Sequence, residues 1–334
     1  MSIPNETEYD YHDPNNLTAG IAISTMGTFG IMTNSTMIFI YCSFKSERNS
    51  FNTICTAKAI ANLFILTVVF GGIFVPTIIH GYTPWFPLPV SATIIAIGNA
   101  FYACNENITL LIAINRFFAI FFPVRYSRIF GMKTTLILLF CLYVYRFGKV
   151  SIEIYYAWTL KVCYLYFSPK FLTWLPTFSE ENCNPFEGDT FWFLCMFLLT
   201  TSLNVTTFMK IICFYRKKSQ TDRNSRMRER KNIRLFFQTV LQDALYIIDL
   251  TFTFQLSDLF NHRLWTFLSG TFIWESLHAF DGLVMIIFTE RFALLKSCLP
   301  TASVPPSIIV GPADQRGRLF SLTPKHVTIS GLSI

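Results

Sequence analysis

Apolar residues are distributed along this chain in long runs that short polar segments separate. A hydrocarbon core of about 30 Å needs roughly 20 residues of helix to cross it. Seven runs reach that length: Gly20–Tyr41, Ile54–Ile79, Ser91–Ile114, Thr134–Trp158, Phe191–Phe214, Arg234–Phe254 and Leu264–Phe288. The pattern therefore predicts an all-α membrane protein, built as a bundle of seven transmembrane helices.

The fourth run is irregular. Its apolar half is followed by Arg146, Lys149 and Glu153 within the same predicted helix. Charged side chains at this depth either face the bundle interior or extend their charged ends towards the membrane surface. We therefore expect either a tilted span or a short span at this position.

The composition agrees with lipid as the main solvent. Of the 334 residues, 52% are hydrophobic and only 14% are charged, whereas about a quarter of the residues in soluble domains are charged. The net charge of +7 comes mainly from basic segments between the apolar runs. Such charges set membrane orientation, so we predict no nucleic-acid partner.

The placement of charge predicts the topology. Basic segments follow the first, third and fifth runs, and the N-terminal segment is acidic. Because cytoplasmic loops are enriched in Lys and Arg, we expect the N-terminus outside and the C-terminus in the cytoplasm. The predicted parts are an extracellular arm at 1–19, a membrane domain at 20–298 and a disordered cytoplasmic tail at 299–334.

Five residues are candidates for covalent modification. Asn5 and Asn16 begin sequons in the predicted extracellular arm, where we expect glycans. Cys163 and Cys183 lie in the predicted outer segment between the fourth and fifth runs, where an oxidising compartment favours a disulfide. Cys298 follows the seventh run on the predicted inner side and is a candidate for palmitoylation.

Ionisable residues within the runs are the clue to ligand chemistry. Glu106 lies in the third run, and Glu275 and His278 lie three residues apart in the seventh, which places them close on one helix face. Asp243 and Asp249 lie in the sixth. Such groups usually face the interior and are functional, although a buried hydrogen-bond network that only stabilises packing is the alternative. Because the extracellular arm is short, we predict a small-molecule ligand inside the bundle, contacting Glu106, Glu275 and His278.

The sequence gives little support to enzyme chemistry. It has no Gly-rich phosphate loop, no His/Cys spacing typical of a metal site and no nucleophile motif. We therefore predict no catalytic residues, no metal and no cofactor. No lysine occurs between Leu264 and Glu290, which argues against a retinal Schiff base.

Three segments carry a family resemblance. The segment LLIAINRFFAIFFPVRY resembles the end of the third helix in rhodopsin-like G-protein-coupled receptors, with Asn115 in place of the acid and Phe117 in place of the usual tyrosine. Together with WESLHAFDGLVMIIFTERF in the seventh run and FFQTVLQDALYIIDLTFTF in the sixth, it resembles the nematode serpentine chemoreceptors of class X. The resemblance covers about residues 20 to 298.

This resemblance implies a chemosensory receptor in the plasma membrane of a sensory neuron. Such a receptor binds a small molecule in the outer half of the bundle and activates a heterotrimeric G protein on the inner side. By the same resemblance, Asn115, Arg116 and Phe117 form the G-protein switch. The alternative for Arg116 is a guanidinium that extends to the cytoplasmic headgroups.

The resemblance also implies a polar network between helices. Asn34 matches the polar landmark of the first helix, Asn62 replaces the usual Asp of the second, and Asp281 replaces the usual Asn of the seventh. The amide and the carboxylate are thus exchanged between two helices, and we expect Asn62 and Asp281 to form one polar contact. The alternative is two unrelated polar residues.

The sequence also departs from rhodopsin-like receptors. Ser91 lies where the cysteine of the bridge to the second outer loop is expected, which makes a bridge within that loop the substitute. No proline occurs between Pro185 and Pro300, so the usual kinks of helices five to seven are missing. Two other functions remain open: a seven-helix ligand-gated channel or transporter, and a receptor that no longer works.

Overall fold

The structure is a computed structural model that describes residues 13–81, 86–160, 165–176, 187–217, 223–260 and 262–288. Asn5, Cys163, Cys183, Cys298 and the predicted tail at 299–334 lie outside the described residues. The glycan at Asn5, the disulfide, the palmitoylation and the tail therefore stay predictions.

Seven long helices occupy the seven predicted runs. They are α1 Pro14–Ser43, α2 Ser50–His80, α3 Leu88–Phe121, α4 Met132–Leu160, α5 Glu187–Lys217, α6 Arg223–Thr251 and α7 Arg263–Phe288. By length and composition alone, five of these described helices, α2 to α5 and α7, are apolar enough to cross a membrane. In α1, Ser, Thr and Asn residues dilute the apolar run, and α6 begins with a strongly basic segment.

The first helix begins earlier than predicted, at Pro14 rather than Gly20. Asp13 is its N-cap, and its Oδ1 accepts a hydrogen bond from the Asn15 backbone N–H at 2.9 Å. Proline at the first helical position has the required φ and lacks an N–H that would be unpaired there. These capping residues are polar, so the apolar pattern did not include the first turns.

Two of the helices widen into π-helix: residues Ile65–Phe74 of α2 and Phe267–Phe272 of α7. A third π segment, Phe252–Leu256, continues α6. In α2 the widening comes just before Pro76, which lacks a backbone N–H and whose ring crowds the preceding turn. Such segments interrupt the regular hydrogen-bond ladder and are frequent at functional sites. The described parts of α6 and α7 thus depart from regular geometry without proline.

The irregular fourth helix is continuous over its 29 residues. Arg146 is buried and lies over the rings of Tyr145 and Trp192, at 5.7 and 5.8 Å from their centroids. Lys149 and Glu153 instead form an exposed ion pair at 3.5 Å. At 1.5 Å per residue the helix is longer than the hydrocarbon core. The three charged side chains therefore point in different directions: Arg146 faces a neighbouring helix, and Lys149 and Glu153 face outward.

Helix α3 packs against α2, α4, α5 and α6, and α1 packs between α2 and α7. Apolar side chains such as Leu136, Ile137 and Phe140 of α4 are exposed, as is expected of surfaces in contact with lipid. Two buried apolar clusters occupy the interior. One lies near the β-hairpin described next, and the other surrounds Ile108 and Ile112 of α3.

The prediction of an all-α chain needs one correction. Strands β1 (Leu165–Ser168) and β2 (Thr173–Pro176) form an antiparallel hairpin between α4 and α5. Trp174 stacks on Trp274 of α7, with ring centroids 5.0 Å apart and an interplanar angle of 8°. Phe167 stacks on Phe74 of α2 at 4.2 Å. The hairpin covers one end of the bundle, which we call the hairpin end; the opposite end, near Arg116, is the Arg116 end.

Candidate functional site

Asp281 of α7 accepts three hydrogen bonds from two other helices. Its Oδ1 accepts from Lys58 Nζ of α2 at 2.9 Å and from Gln242 Nε2 of α6 at 2.6 Å. Its Oδ2 accepts from Asn62 Nδ2 of α2 at 2.8 Å. The predicted contact between Asn62 and Asp281 is therefore confirmed. Through Gln242, the same carboxylate also connects α6 to this contact.

Asn62 links this carboxylate to two further helices, α1 and α3, and to His278 on the carboxylate's own helix. Its Nδ2 also donates to Asn34 Oδ1 of α1 at 3.1 Å. Its Oδ1 accepts from Asn105 Nδ2 of α3 at 2.6 Å and lies 2.8 Å from His278 Nδ1 of α7. Since the Asp281 contact orients the Asn62 amide, its oxygen can only accept, so His278 Nδ1 carries the hydrogen. His278 Nε2 is then an acceptor.

Lys58, like Gln242 and Asn105, belongs to this network without having been predicted from the sequence. Its side chain is fully buried, and its ammonium also lies 5.0 Å from the centroid of the Tyr246 ring of α6. A lysine within an apolar run is itself a signal, because buried charges are costly unless paired. Lys58 and Asn62 are four residues apart, so one face of α2 presents both to α7.

The contact between α1 and α7 depends on glycine. A Cβ at Gly282 would lie 2.6 Å from Asn34 Nδ2 and 2.7 Å from Thr33 Oγ1. The close approach lets Asn34 Nδ2 donate to the His278 carbonyl at 3.1 Å. Small residues therefore allow side chains of α1 to reach the α7 backbone.

Arg116 is buried at the other end of the bundle. It is 5% exposed, and the carbon of its guanidinium lies 3.5 Å from the centroid of the Phe51 ring of α2. Its Nε and Nη2 have no hydrogen-bond partner among the described residues. This packing contradicts the alternative in which the guanidinium extends to headgroups.

Asn115 joins neighbouring elements at this end. Its Nδ2 donates to Ser50 Oγ of α2 at 3.3 Å, and its Oδ1 accepts from Tyr126 Oη at 3.2 Å. Tyr126 belongs to a short connecting helix, Pro123–Ile129, and Ser50 Oγ lies 2.7 Å from Thr135 Oγ1 of α4. The amide that replaces the usual acid thus both donates and accepts, which a carboxylate could not do.

Phe117, the third predicted switch residue, makes different contacts. Its ring stacks on Phe121 at a centroid distance of 4.4 Å, and the side chain is half-buried. Asn115, Arg116 and Phe117 therefore have separate partners, although they share one turn of α3. Their role as a switch stays a prediction.

Glu275 and His278 lie near the hairpin end, one turn apart on α7. Both are fully buried. Neither carboxylate oxygen of Glu275 has a hydrogen-bond partner among the described residues, and neither does His278 Nε2. A Cβ at Gly27 of α1 would lie 2.9 Å from Glu275 Oε1. The α7 residue Trp274, which the hairpin covers, lies against His278 with ring centroids 6.0 Å apart.

Glu106 is oriented differently. It is half-buried on α3 and interacts electrostatically with Tyr102 and Tyr246. The structure therefore places it towards α6, without a hydrogen bond to Glu275 or His278. The two acids of α6 are paired: Asp249 Oδ2 accepts from Tyr102 Oη at 2.8 Å, and Asp243 accepts from the Asn204 amide of α5.

Arg263, the first residue of α7, connects three segments at the hairpin end. It donates to Asp13, to Asn16 Oδ1 and, at 2.7 Å, to the carbonyl of Pro169 beside β1. The backbone N–H of Asn15, and then the charge of Arg263, lower the pKa of Asp13. The chain preceding α1, the hairpin and α7 are thus held together.

Asn16 is buried in the first turn of α1, where its side-chain oxygen accepts from Arg263. A glycan on its amide nitrogen would need solvent that this packing excludes. The structure therefore disfavours glycosylation at Asn16 in the folded protein. Within the described parts of the chain, no group of three or more His, Cys, Asp or Glu side chains is arranged to hold a metal ion.

Known proteins resemble this chain over most of its length. The family described as serpentine type 7TM GPCR chemoreceptor Srx matches residues 25–289. Serpentine receptor class X 45 of Caenorhabditis elegans is 24% identical over 296 residues, which cover 82% of this chain and 79% of that protein. The matched range includes Lys58, Arg116, Glu275 and Asp281.

Proposed function

Because the chain belongs to the Srx family of seven-transmembrane G-protein-coupled chemoreceptors, we propose that it binds a small molecule near the hairpin end and activates a heterotrimeric G protein at the Arg116 end. The family is one of receptors, and it does not favour the channel or transporter alternative. We further propose that this multi-pass membrane protein lies in the plasma membrane of a sensory neuron with its N-terminus outside.

The observation that carries this proposal is the polar network centred on Asn62 and Asp281. It joins side chains of α1, α2, α3, α6 and α7 inside the bundle. Through His278 it adjoins the turn of α7 that faces the hairpin end. A ligand that changes the position of α7 must therefore change the hydrogen bonds of α6 and α2.

We propose that the helices joined by this network have two discrete arrangements. The Gln242 side chain bonds Asp281 at 2.6 Å, so an outward movement of α6 breaks this bond. A ligand activates the receptor only by binding one arrangement more tightly than the other. We infer that the arrangement described above, with Arg116 buried, is the inactive one.

Arg116 has the chemistry of a switch in this arrangement. Its charge faces an aromatic ring instead of a carboxylate, and two of its nitrogen atoms have no hydrogen-bond partner among the described residues. Released from Phe51, the guanidinium presents donors to the backbone carbonyls at the C-terminal end of a partner's helix, where the helix dipole attracts cations.

The basic segment between α5 and α6 supports the same surface. Helix α5 continues to Lys217 and α6 begins at Arg223, so both helices extend into this segment beyond the predicted spans. Its positive charge attracts anionic lipid headgroups and acidic protein surfaces. We propose that it orients the receptor and forms part of the G-protein docking surface.

Guanine-nucleotide exchange in membranes that contain the receptor and a G protein tests the switch. A buried cation–π contact contributes about 2 kcal/mol, so Phe51→Leu should raise ligand-free exchange by roughly tenfold or more, up to saturation. Arg116→Ala should abolish exchange. Both variants are compared at equal surface level, measured with an epitope tag. If Arg116→Ala reaches the surface and supports normal exchange, the switch role is wrong.

A further inference from the structure

One turn of α7 presents three acceptor atoms that have no donor among the described residues: Glu275 Oε1, Glu275 Oε2 and His278 Nε2. The side chains of both residues have no solvent exposure. Buried acceptors are normally paired within the protein, as those of the neighbouring Asn62 and Asp281 are. The unpaired turn therefore differs from the polar network beside it.

The acceptor character of these atoms follows from their surroundings. His278 Nδ1 donates its hydrogen to Asn62 Oδ1, which leaves a lone pair on Nε2. The lysine of the network, Lys58, is already paired with Asp281. Within the part of the chain that the structure describes, these acceptors therefore have neither a hydrogen-bond donor nor a positive charge paired with them.

A ligand that satisfies these acceptors must supply hydrogen-bond donors and a positive charge. We propose that the ligand is a primary amine, bound as its ammonium ion by Glu275 and His278. This inference rests on the proposed function, because it assigns the ligand class of the same site. An ammonium has three N–H donors, no acceptor and one positive charge. An alcohol supplies one donor and no charge, and a carboxylate would face Glu275 with a like charge.

The proton balance of binding is simple. If Glu275 is protonated before binding, its proton passes to the neutral amine: the O–H bond breaks, an N–H bond forms, and a carboxylate–ammonium pair results. If the amine arrives as an ammonium and Glu275 is already a carboxylate, no proton moves. Either route ends in the same pair, with the remaining N–H groups available to His278 Nε2.

The surroundings of the turn suit an apolar amine. Trp274 lies beside His278 and contacts Phe70 of α2, with ring centroids 5.0 Å apart. Aromatic faces also attract ammonium groups. Gly27 leaves room for the Glu275 carboxyl against α1. Trp174 of the hairpin stacks on Trp274, so we infer that the hairpin must move for a ligand to enter.

The test is a binding measurement that does not need a G protein. Thermal unfolding of the purified full-length receptor in lipid nanodiscs is measured with three matched sets: hexylamine, hexanol and hexanoate; 2-phenylethylamine, 2-phenylethanol and phenylacetate; cyclohexylamine, cyclohexanol and cyclohexanecarboxylate. We expect at least one amine to raise the unfolding temperature and its matched alcohol and acid to have no effect.

Two Glu→Gln variants separate a specific site from amine uptake by the membrane. Glu275→Gln should weaken the apparent affinity for the amine by tenfold or more. Glu153→Gln, which makes the same change at an exposed position of α4, should leave it unchanged. An equal amine effect in wild type and Glu275→Gln, a matched alcohol that binds as tightly, or no effect of any amine overturns the inference.

A further variant tests whether Glu275 instead stabilises the fold. Without ligand, Glu275→Met should unfold at the wild-type temperature or higher, because it removes unpaired acceptors. A clear fall overturns the ligand role. The G-protein proposal and the ligand proposal can fail separately. If the receptor binds amines and Arg116→Ala still supports normal nucleotide exchange, only the switch is refuted. If Arg116→Ala abolishes exchange and no amine binds the receptor, only the ligand class is refuted.

Discussion

Replacing Lys58 by methionine tests whether the buried ion pair stabilises the bundle. The change removes the ammonium 2.9 Å from Asp281, whose side chain is 2% exposed. Asp281 keeps two hydrogen bonds, from Asn62 and Gln242, but loses its opposite charge. Breaking one partner of a buried pair costs about 3–5 kcal/mol. Because two donors remain, we expect the low end, about 3 kcal/mol, or a fall of roughly 6–12 °C in unfolding temperature.

The matched control is Lys149→Met on α4, whose ion pair with Glu153 spans 3.5 Å and is exposed. Exposed pairs contribute about 0.5 kcal/mol, so this variant should unfold within about 2 °C of wild type. Both variants are purified in nanodiscs and melted by circular dichroism. The reasoning is refuted if Lys58→Met is no less stable than Lys149→Met.

A double mutant distinguishes lost charge balance from lost packing. Adding Asp281→Asn to Lys58→Met removes the uncompensated carboxylate, so we expect the double mutant to regain most of the lost stability. If the two losses instead add, the ion pair does not couple the residues. Under the proposed function, Lys58→Met should also raise ligand-free nucleotide exchange, because the pair ties α2 to α7.

Three further predictions concern other parts of the molecule. Gly282→Ala should lower the free energy of unfolding by about 1–3 kcal/mol through overpacking, because its Cβ would lie 2.6 Å from a side chain of α1. Gly148→Ala, which meets no described atom within 4 Å, should leave the free energy of unfolding unchanged or raise it by up to about 1 kcal/mol. Thermal unfolding of both variants checks the difference. The folded-state pKa of Asp13 is lowered, so its contribution to stability is present above about pH 3.9 and is lost as the pH falls through the folded-state pKa. The difference in unfolding temperature between wild type and Asp13→Asn should therefore vanish in acid. A difference that persists or grows in acid contradicts this prediction. Asn5→Gln should remove a glycan and speed migration in gels, whereas Asn16→Gln should not; a shift with Asn16→Gln would show that this site is modified before α1 packs.

The number and type of the main helices could be read from the sequence because each span needs its own length of apolar residues. The structure has all seven helices at the predicted runs. Their ends were less predictable: Asp13 and Pro14 begin α1 through a capping contact that hydropathy does not register. The hairpin was missed because its strands, Leu165–Ser168 and Thr173–Pro176, are each only four residues long.

The sequence also indicated which polar residues matter, since lipid penalises those that have no partner. It placed Asn34, Asn62 and Asp281 in one network by resemblance, and the hydrogen bonds among them agree. It did not identify the partner of each group. Lys58 pairs with Asp281, 223 residues away in sequence, and no local pattern indicates which helix faces which.

What the sequence by itself determined is the class of the protein: apolar helices of membrane-spanning length, with a few polar residues inside them. Only the tertiary structure decided that Arg116 lies on Phe51, that Glu275 has no donor among the described residues and that a hairpin covers one end. The reason is physical. Helix length and insertion into the membrane follow from the apolar residues within each segment, whereas the rotation and order of helices are set by packing between segments distant in sequence.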